Sequence, residues 1–331
     1  MPTPSSGAAL LVRTIAVGIC GTDLEILQGQ YGTAPAGSER LIIGHESLGQ
    51  VVEAEPNSGF APGDLVVGIV RRPDPVPCSS CAVGEWDMCK NGRYTERGIN
   101  GRHGFASEYF TIRPEYAVKV EFSLGRTGVL LEPASVVAKA WEHIERIGHR
   151  TRSWEPRRVL VMGAGTVGLL AALIGVQRGF EVHVFDRVAE GFKPAVVRSL
   201  GAEYYSGPLE EFSLSPDIVL ECTGATPLIF DAVNRTGAGG VVCLTGISSG
   251  GRSIDIDLGV LNRSIVLEND TIFGSVNANR RHYELAARAL LDADPSWLSR
   301  LITRSVPLER WQDALARSPD DIKTTIEFGR L

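Results

Sequence analysis

The sequence predicts an α/β protein of two domains: an irregular β domain and a doubly wound parallel sheet. Three observations predict it. The first third carries short β-type runs broken by Gly and Pro. From Arg158 onward, apolar strands alternate with helical patterns. Between the first such strand and its helix stands a glycine-rich turn, "VLVMGAGTVGLLAAL".

The β-type runs are "LLVRTIAVG", "LIIGHESLGQVVEAE", "DLVVGIV" and "EYAVKV". A helix follows in "VVAKAWEHIERIG", where Val137, Trp141, Ile144 and Ile147 share one face and Gly148 stops it. In the second domain the strands are "VLVMG", "FEVHVFDR", "DIVLECTG" and "GGVVCLTG". They alternate with "TVGLLAALIGVQR", "FKPAVVRSLG" and "TPLIFDAVNR". After "DTIFGSVN" the helix "RRHYELAARALL" and short strands are assigned back to the first domain. The expected boundaries are 1–135 with 277–331, and 136–276.

The 331 residues are 44% hydrophobic and 22% charged, with net charge −6. No basic run or basic aromatic-rich stripe points to nucleic acid. No window approaches the ~18 apolar residues of a membrane span. The start, "MPTPSSGAALLVRT", lacks the pattern of a signal peptide, and a cytoplasmic setting is expected. Six cysteines in such a chain point to metal or redox chemistry rather than to a disulfide scaffold.

The glycine-rich turn holds Gly163, Gly165 and Gly168, with Thr166 and Val167 between them. The first glycine permits a tight turn, the second lets a pyrophosphate approach the backbone, and the third lets helix and strand pack closely. Asp186 ends the next strand, where a carboxylate accepts from the ribose 2′-OH of NAD and repels the 2′-phosphate of NADP. Arg187 follows it and offers that phosphate a partner. Use of both cofactors with NAD preferred is expected. Thr223 and Gly224, closing the third strand, complete the expected cofactor contacts.

Two groups of residues carry metal-ligand chemistry. Cys20 in "VGICGTD", His45 and Glu46 in "IIGHES", and Glu132 in "VLLEPAS" supply the sulfur, nitrogen and oxygen donors that catalytic zinc accepts. Cys78, Cys81 and Cys89 crowd into "DPVPCSSCAVGEWDMC". A thioredoxin-like role for "CSSC" is set aside, because its fold context is missing.

"GICGTD", "GHE", "GDLV", the cysteine-rich lobe, "LLEPAS" and "GAGTVG" occur in the order seen in zinc-dependent medium-chain alcohol dehydrogenases, which this chain resembles from about residue 12 onward. "VRRP", "RYTERGI" and "GSVN" resemble more narrowly the microbial glucose dehydrogenases. The resemblance implies a GroES-like catalytic domain in which Cys20, His45 and Glu132 hold a catalytic zinc. It implies that Glu46 is a fourth, exchangeable ligand or a bridge through water. Thr22 would relay the proton, and Asp23 would fix the tautomer of the zinc histidine. Cys78, Cys81 and Cys89 resemble a structural-zinc lobe. Its first ligand position falls near Pro75, so Asp74 is expected as the fourth ligand, with a metal-free lobe as the alternative. Glu96 matches a sugar-contacting glutamate, and Asn277 a residue near both sugar and nicotinamide.

Two departures qualify this likeness. Val70 and Leu267 stand where some members place polar sugar contacts, so a less hydroxylated or differently shaped alcohol is an alternative substrate. Only 19 residues precede Cys20, where the family normally has an additional strand pair whose absence would leave a β edge unpaired; a truncated or misassigned start, or another segment covering the edge, is expected. The expected protein is a zinc-dependent alcohol or sugar dehydrogenase using NAD or NADP. It is expected as a homodimer or homotetramer, with "DTIFGSV" as a pairing edge. The rival readings are a redox-neutral enzyme with transient oxidation by bound NAD, and a non-catalytic nucleotide-binding protein.

Overall fold

A computed structural model describes residues 9–248 and 253–329. Their contacts divide them into two compact units, Met1–Ser135 with Asn277–Leu331, and Val136–Val276. The first unit opens with β1 (Leu10–Ile19), α1 (Gly21–Leu27), β2 (Glu46–Glu53) and β3 (Leu65–Gly68). β4 (Arg71–Arg72), α2 (Ser79–Ala82), β5 (Thr95–Arg97), β6 (Gly101–Arg102), β7 (Tyr109–Ile112) and β8 (Ala117–Val120) follow. α3 (Leu131–Gly148) spans the boundary. It begins six residues before Val137, which places Glu132 in its first turn.

The second unit runs β9 (Arg158–Met162), α4 (Thr166–Gln177), β10 (Glu181–Phe185), α5 (Phe192–Ser199), β11 (Glu203–Tyr205) and β12 (Ile218–Glu221). It ends with α6 (Thr226–Asn234), β13 (Val241–Leu244), α7 (Leu258–Glu268) and β14 (Thr271–Gly274). The chain then returns to the first unit through α8 (Arg280–Leu291), α9 (Pro295–Leu301), β15 (Ile302–Pro307) and β16 (Lys323–Glu327).

In the first unit β1 is the centre of the sheet β15-β16-β1-β2-β3-β8. Its sequence is almost wholly apolar and almost wholly buried. The anticipated unpaired edge is absent from it. β2 covers one side of β1, while β7 pairs its first half and β16 its second. Segments distant in sequence thus satisfy the N–H and C=O groups that an edge would expose. Val12, Val17, Val66, Phe105 and Phe110 pack into the core behind it. A separate small sheet, β4-β5-β6, stands apart from this one.

The second unit is a parallel sheet in the order β11-β10-β9-β12-β13-β14. The order reverses direction between β9 and β12, and such switch points open a crevice at the strand ends. α4 is apolar around its whole circumference, with Leu169 to Ile174 all buried. β14 is an edge strand, as "DTIFGSV" suggests. No helix among the described residues is long and apolar enough to cross a membrane.

Candidate active site

Pairing of β1 with β2 sets Gly18 opposite Glu46, which brings the end of one strand beside the start of the other. Cys20 follows β1 and His45 precedes β2. Cys20 Sγ and His45 Nε2 lie 3.0 Å apart. Cys20 also caps α1, its sulfur accepting from the Thr22 N–H at 3.3 Å. Asp23, fully buried, reaches back to accept from the Cys20 N–H at 2.9 Å. Its other oxygen accepts from the Gly44 N–H and lies 3.4 Å from His45 Nδ1. The imidazole is therefore bracketed by a carboxylate at one nitrogen and a sulfur at the other. Burial opposes charge on this ring, yet Cys20 and Asp23 outweigh burial and raise its pKa well above the ordinary value.

Glu46 lies within the same tight group of potential donor atoms as Cys20 and His45. Its carboxylate is already engaged. Lys323 Nζ donates to Oε1 at 2.6 Å and to Oε2 at 2.5 Å, and both side chains are buried. A Cβ on Gly18 would come within 2.0 Å of that carboxylate, so any larger residue there would displace Glu46 from its lysine. An exchangeable Glu46 must therefore compete with its lysine. Glu132 is buried on the first turn of α3. Burial, offset in part by His45 and reinforced by Glu46, raises its pKa to about 7. The donor set suits zinc: a thiol sulfur, an imidazole backed by a carboxylate, and a second carboxylate are ligand types it takes.

The cysteine-rich lobe brings three of its expected four ligands together. The sulfurs of Cys78, Cys81 and Cys89 lie within 4.8 Å of one another. N–H groups of Lys90 and Cys81 point at Cys78 Sγ and lower its pKa to about 6, while burial pushes Cys81 up to about 11. Asp74 does not join them. Its Oδ1 accepts from the Val76 N–H at 2.8 Å, and its Oδ2 from Asn91 at 2.9 Å and Arg93 at 3.2 Å. Those contacts turn the carboxylate into a brace for the loop.

Glu96 and Asn277 meet. Asn277, at φ 64°, donates from Nδ2 to Glu96 Oε1 at 2.6 Å. The same oxygen accepts from Arg71 at 3.1 and 3.0 Å, and Tyr94 stacks on that guanidinium. Val70 is buried nearby in sequence. Leu267 lies exposed on α7 of the other unit.

In the nucleotide-type turn Gly163 takes φ 106°, closed to most side chains. A Cβ on Gly168 would stand 1.8 Å from Gly163 O, so strand and helix touch there. Gly165 caps α4 without a side-chain bond and has open space before it. Thr166 is buried behind it and Val167 half-buried. Asp186 accepts from the N–H groups of Ala164 at 2.7 Å and Val188 at 3.2 Å, and Arg187 is exposed. Thr223 and Gly224 wrap the buried carboxylate of Glu221, which accepts from both of their N–H groups.

The alcohol dehydrogenase GroES-like domain matches residues 6–122, and the glucose dehydrogenase C-terminus matches residues 125–328. The chain belongs to the glucose dehydrogenases of the medium-chain alcohol dehydrogenase superfamily. Glucose 1-dehydrogenase of Methanocella arvoryzae is 42% identical, over 99% of this chain and 94% of that one. Glucose 1-dehydrogenase of Thermoproteus tenax is 40% identical, over 98% and 93%. A solved glucose dehydrogenase of Haloferax mediterranei, in complex with NADP, Zn and gluconolactone, superposes with a TM-score of 0.92. It is 32% identical, over 100% of this chain and 94% of that one. Within this family frame, three residues that sequence reasoning missed are Lys323, Arg71 and Glu221. The sole signal for any of them was "VRRP", which marked the resemblance without assigning Arg71 a partner.

Proposed function

We propose that the chain is a zinc-dependent sugar dehydrogenase that oxidises the C1 hydroxyl of glucose or a related aldose to the lactone, with reduction of NAD or NADP. The observation that carries this reading is the pairing of Cys20 with His45, with the buried carboxylates of Glu46 and Glu132 feeling the same histidine or sharing its cluster, in a chain whose relatives are glucose 1-dehydrogenases. Cys20, His45 and Glu132 would hold the metal. When bound, zinc supplies a Lewis acid for the substrate oxygen and the nicotinamide an acceptor for the hydride. Asp23 faces His45 Nδ1 and so leaves Nε2 as the donor. The Thr22 hydroxyl takes the departing proton toward solvent. Glu96, positioned by Arg71 and Asn277, accepts from a sugar hydroxyl and orients the ring. The lobe of Cys78, Cys81 and Cys89 holds a structural metal, with Asp74 shaping the loop rather than ligating.

Cofactor choice is read from Asp186 and Arg187. A fixed carboxylate meets a 2′-phosphate unfavourably, whereas an exposed guanidinium turns away. NAD is therefore the preferred cofactor and NADP an accepted one. Neither the redox-neutral nor the non-catalytic reading draws support from the relatives. Reduced-nicotinamide absorbance, followed with glucose and a panel of aldoses and simple alcohols, tests the proposal. Glucose turnover is expected, with Cys20→Ala abolishing it while cofactor binding persists. Glu96→Gln is expected to raise KM for the sugar. No turnover of any aldose would refute the substrate class. An NADP preference of tenfold or more in kcat/KM, about 1.4 kcal/mol, would reverse the cofactor assignment.

A further inference from the structure

The small sheet β4-β5-β6 has two unlike faces. Residues directly opposite on paired strands share a face, and successive residues alternate. Arg71 pairs with Glu96 in register, so both stand on the face toward Asn277. Arg72 pairs with Thr95, and Arg97 with Arg102. Arg72, Arg97 and Arg102 therefore share the opposite face. Arg102 Nε donating to Thr95 Oγ1 at 3.2 Å agrees with this placement.

That face lines an open cavity of about 1090 Å³. Arg113, Glu115, Asp74 and Tyr116 complete the part of the wall that matters for charge. The two acids are taken: Glu115 by Arg113 at 2.7 Å and Asp74 by Arg93 at 3.2 Å. Among the described residues, Arg72, Arg97 and Arg102 have no carboxylate partner. Arg72 is buried and donates from Nη1 to backbone carbonyls of its own strand region, with its guanidinium 4.0 Å from the Tyr116 ring centroid. Arg97 donates to the carbonyls of His103 and Thr111, and its Nε is buried with no partner.

We propose that this cavity binds a phosphate-bearing small molecule, clasped by Arg72, Arg97 and Arg102. Guanidinium forks match phosphate oxygens in pairs, and the cavity has room for more than a single anion. Burial first, then mutual repulsion among the three arginines, lowers Arg72 to about 9 and Arg97 to about 10. Such crowding of like charge is relieved by a bound polyanion. An occupant would also brace β4 and β5 from behind, since their other face carries Arg71 and Glu96.

Calorimetric titration of the intact protein with inorganic pyrophosphate tests the site. Arg102 is exposed, so Arg102→Glu is expected to fold, and it leaves the glycine-rich turn of the other unit untouched. The expected result is a pyrophosphate site in the wild type that Arg102→Glu weakens by about tenfold or more. Circular dichroism confirms that the variant is folded, and Arg102→Ala gives an intermediate loss. Equal affinity in the wild type and Arg102→Glu, or no binding at millimolar concentration, overturns the proposal. Citrate binding as tightly as pyrophosphate overturns the phosphate assignment. Dissociation of an oligomer by pyrophosphate would show that an acidic segment of another chain fills the cavity, and overturns it too.

Discussion

Lys323 and Glu46 are both buried, at 2% exposure each, and each is the other's counter-ion. Burial works against the charge on Lys323, but Glu46 and Cys20 hold its pKa above the ordinary value. Removing one partner strands the other as a buried charge. Lys323→Met is therefore expected to cost about 3–5 kcal/mol of stability, while Lys323→Met with Glu46→Leu recovers most of it. Denaturant unfolding of the two variants checks this, and a single variant as stable as the double would deny the coupling. Glu46 was legible in "GHES" as a carboxylate beside a metal-type histidine. Its lysine was not, because 277 residues separate them and "IKTTIEF" reads as a plain strand. Glu96 was singled out through resemblance, and the structure sets it against Asn277. What local sequence could not show is that Arg71 occupies the same oxygen as Asn277.

The glycine-rich turn separates two roles that sequence joins in one motif. A methyl on Gly168 collides with a backbone oxygen, whereas one on Gly165 meets nothing within 4 Å. Gly168→Ala is expected to destabilise the second unit by about 1–3 kcal/mol. Gly165→Ala is expected to change stability by less than about 1 kcal/mol, yet weaken dinucleotide binding about tenfold or more, because the backbone must approach the pyrophosphate there. Thermal melts beside cofactor titrations distinguish the two, and equal loss of stability in both would show that Gly165 is structural. In the cysteine lobe, Cys78→Ser is expected to lower the melting temperature more than it slows the chemical step. An unchanged melt with one zinc or fewer per chain would mean the lobe is no metal cage. The buried strands of the second unit were legible because each is dominated by branched apolar residues, with His183 in β10 and Glu221 at the end of β12 the buried polar exceptions. β11 was not, since "EYY" is short, lies at the sheet edge and is partly exposed. Asp74 was misplaced for a different reason: it adjoins the expected ligand position in sequence, but its carboxylate is turned to Val76, Asn91 and Arg93.

At the scale of the molecule, the two units have separate cores. β14 ends the second unit's sheet with one side unpaired among the described residues, and Thr271, Ile272 and Phe273 on it are half-buried. An apolar edge of this kind invites a second copy. Sedimentation is expected to show a dimer or tetramer that Thr271→Lys shifts toward monomer. A monomeric wild type would remove the edge from consideration. The alternation of strand and helix made the second unit readable from sequence. The first was readable only in its parts, because β1 draws its neighbours from β2, β7 and β16 across the length of the chain.

That arrangement fixes an order of events during synthesis. Chains emerge from the N-terminus, and domains fold as they appear. Cys20, Asp23, His45, Glu46 and Glu132 are all made before the second unit, whereas β16 and Lys323 come after it. While the ribosome is still translating the nucleotide-type sheet, the pocket has its acids but not its lysine. The nascent pocket is more negative than the finished one, and the second half of β1 is paired on the β2 side alone until β16 is made. The final strand thus delivers the counter-ion of Glu46 last, and the charge of the pocket is balanced only when the chain is all but finished.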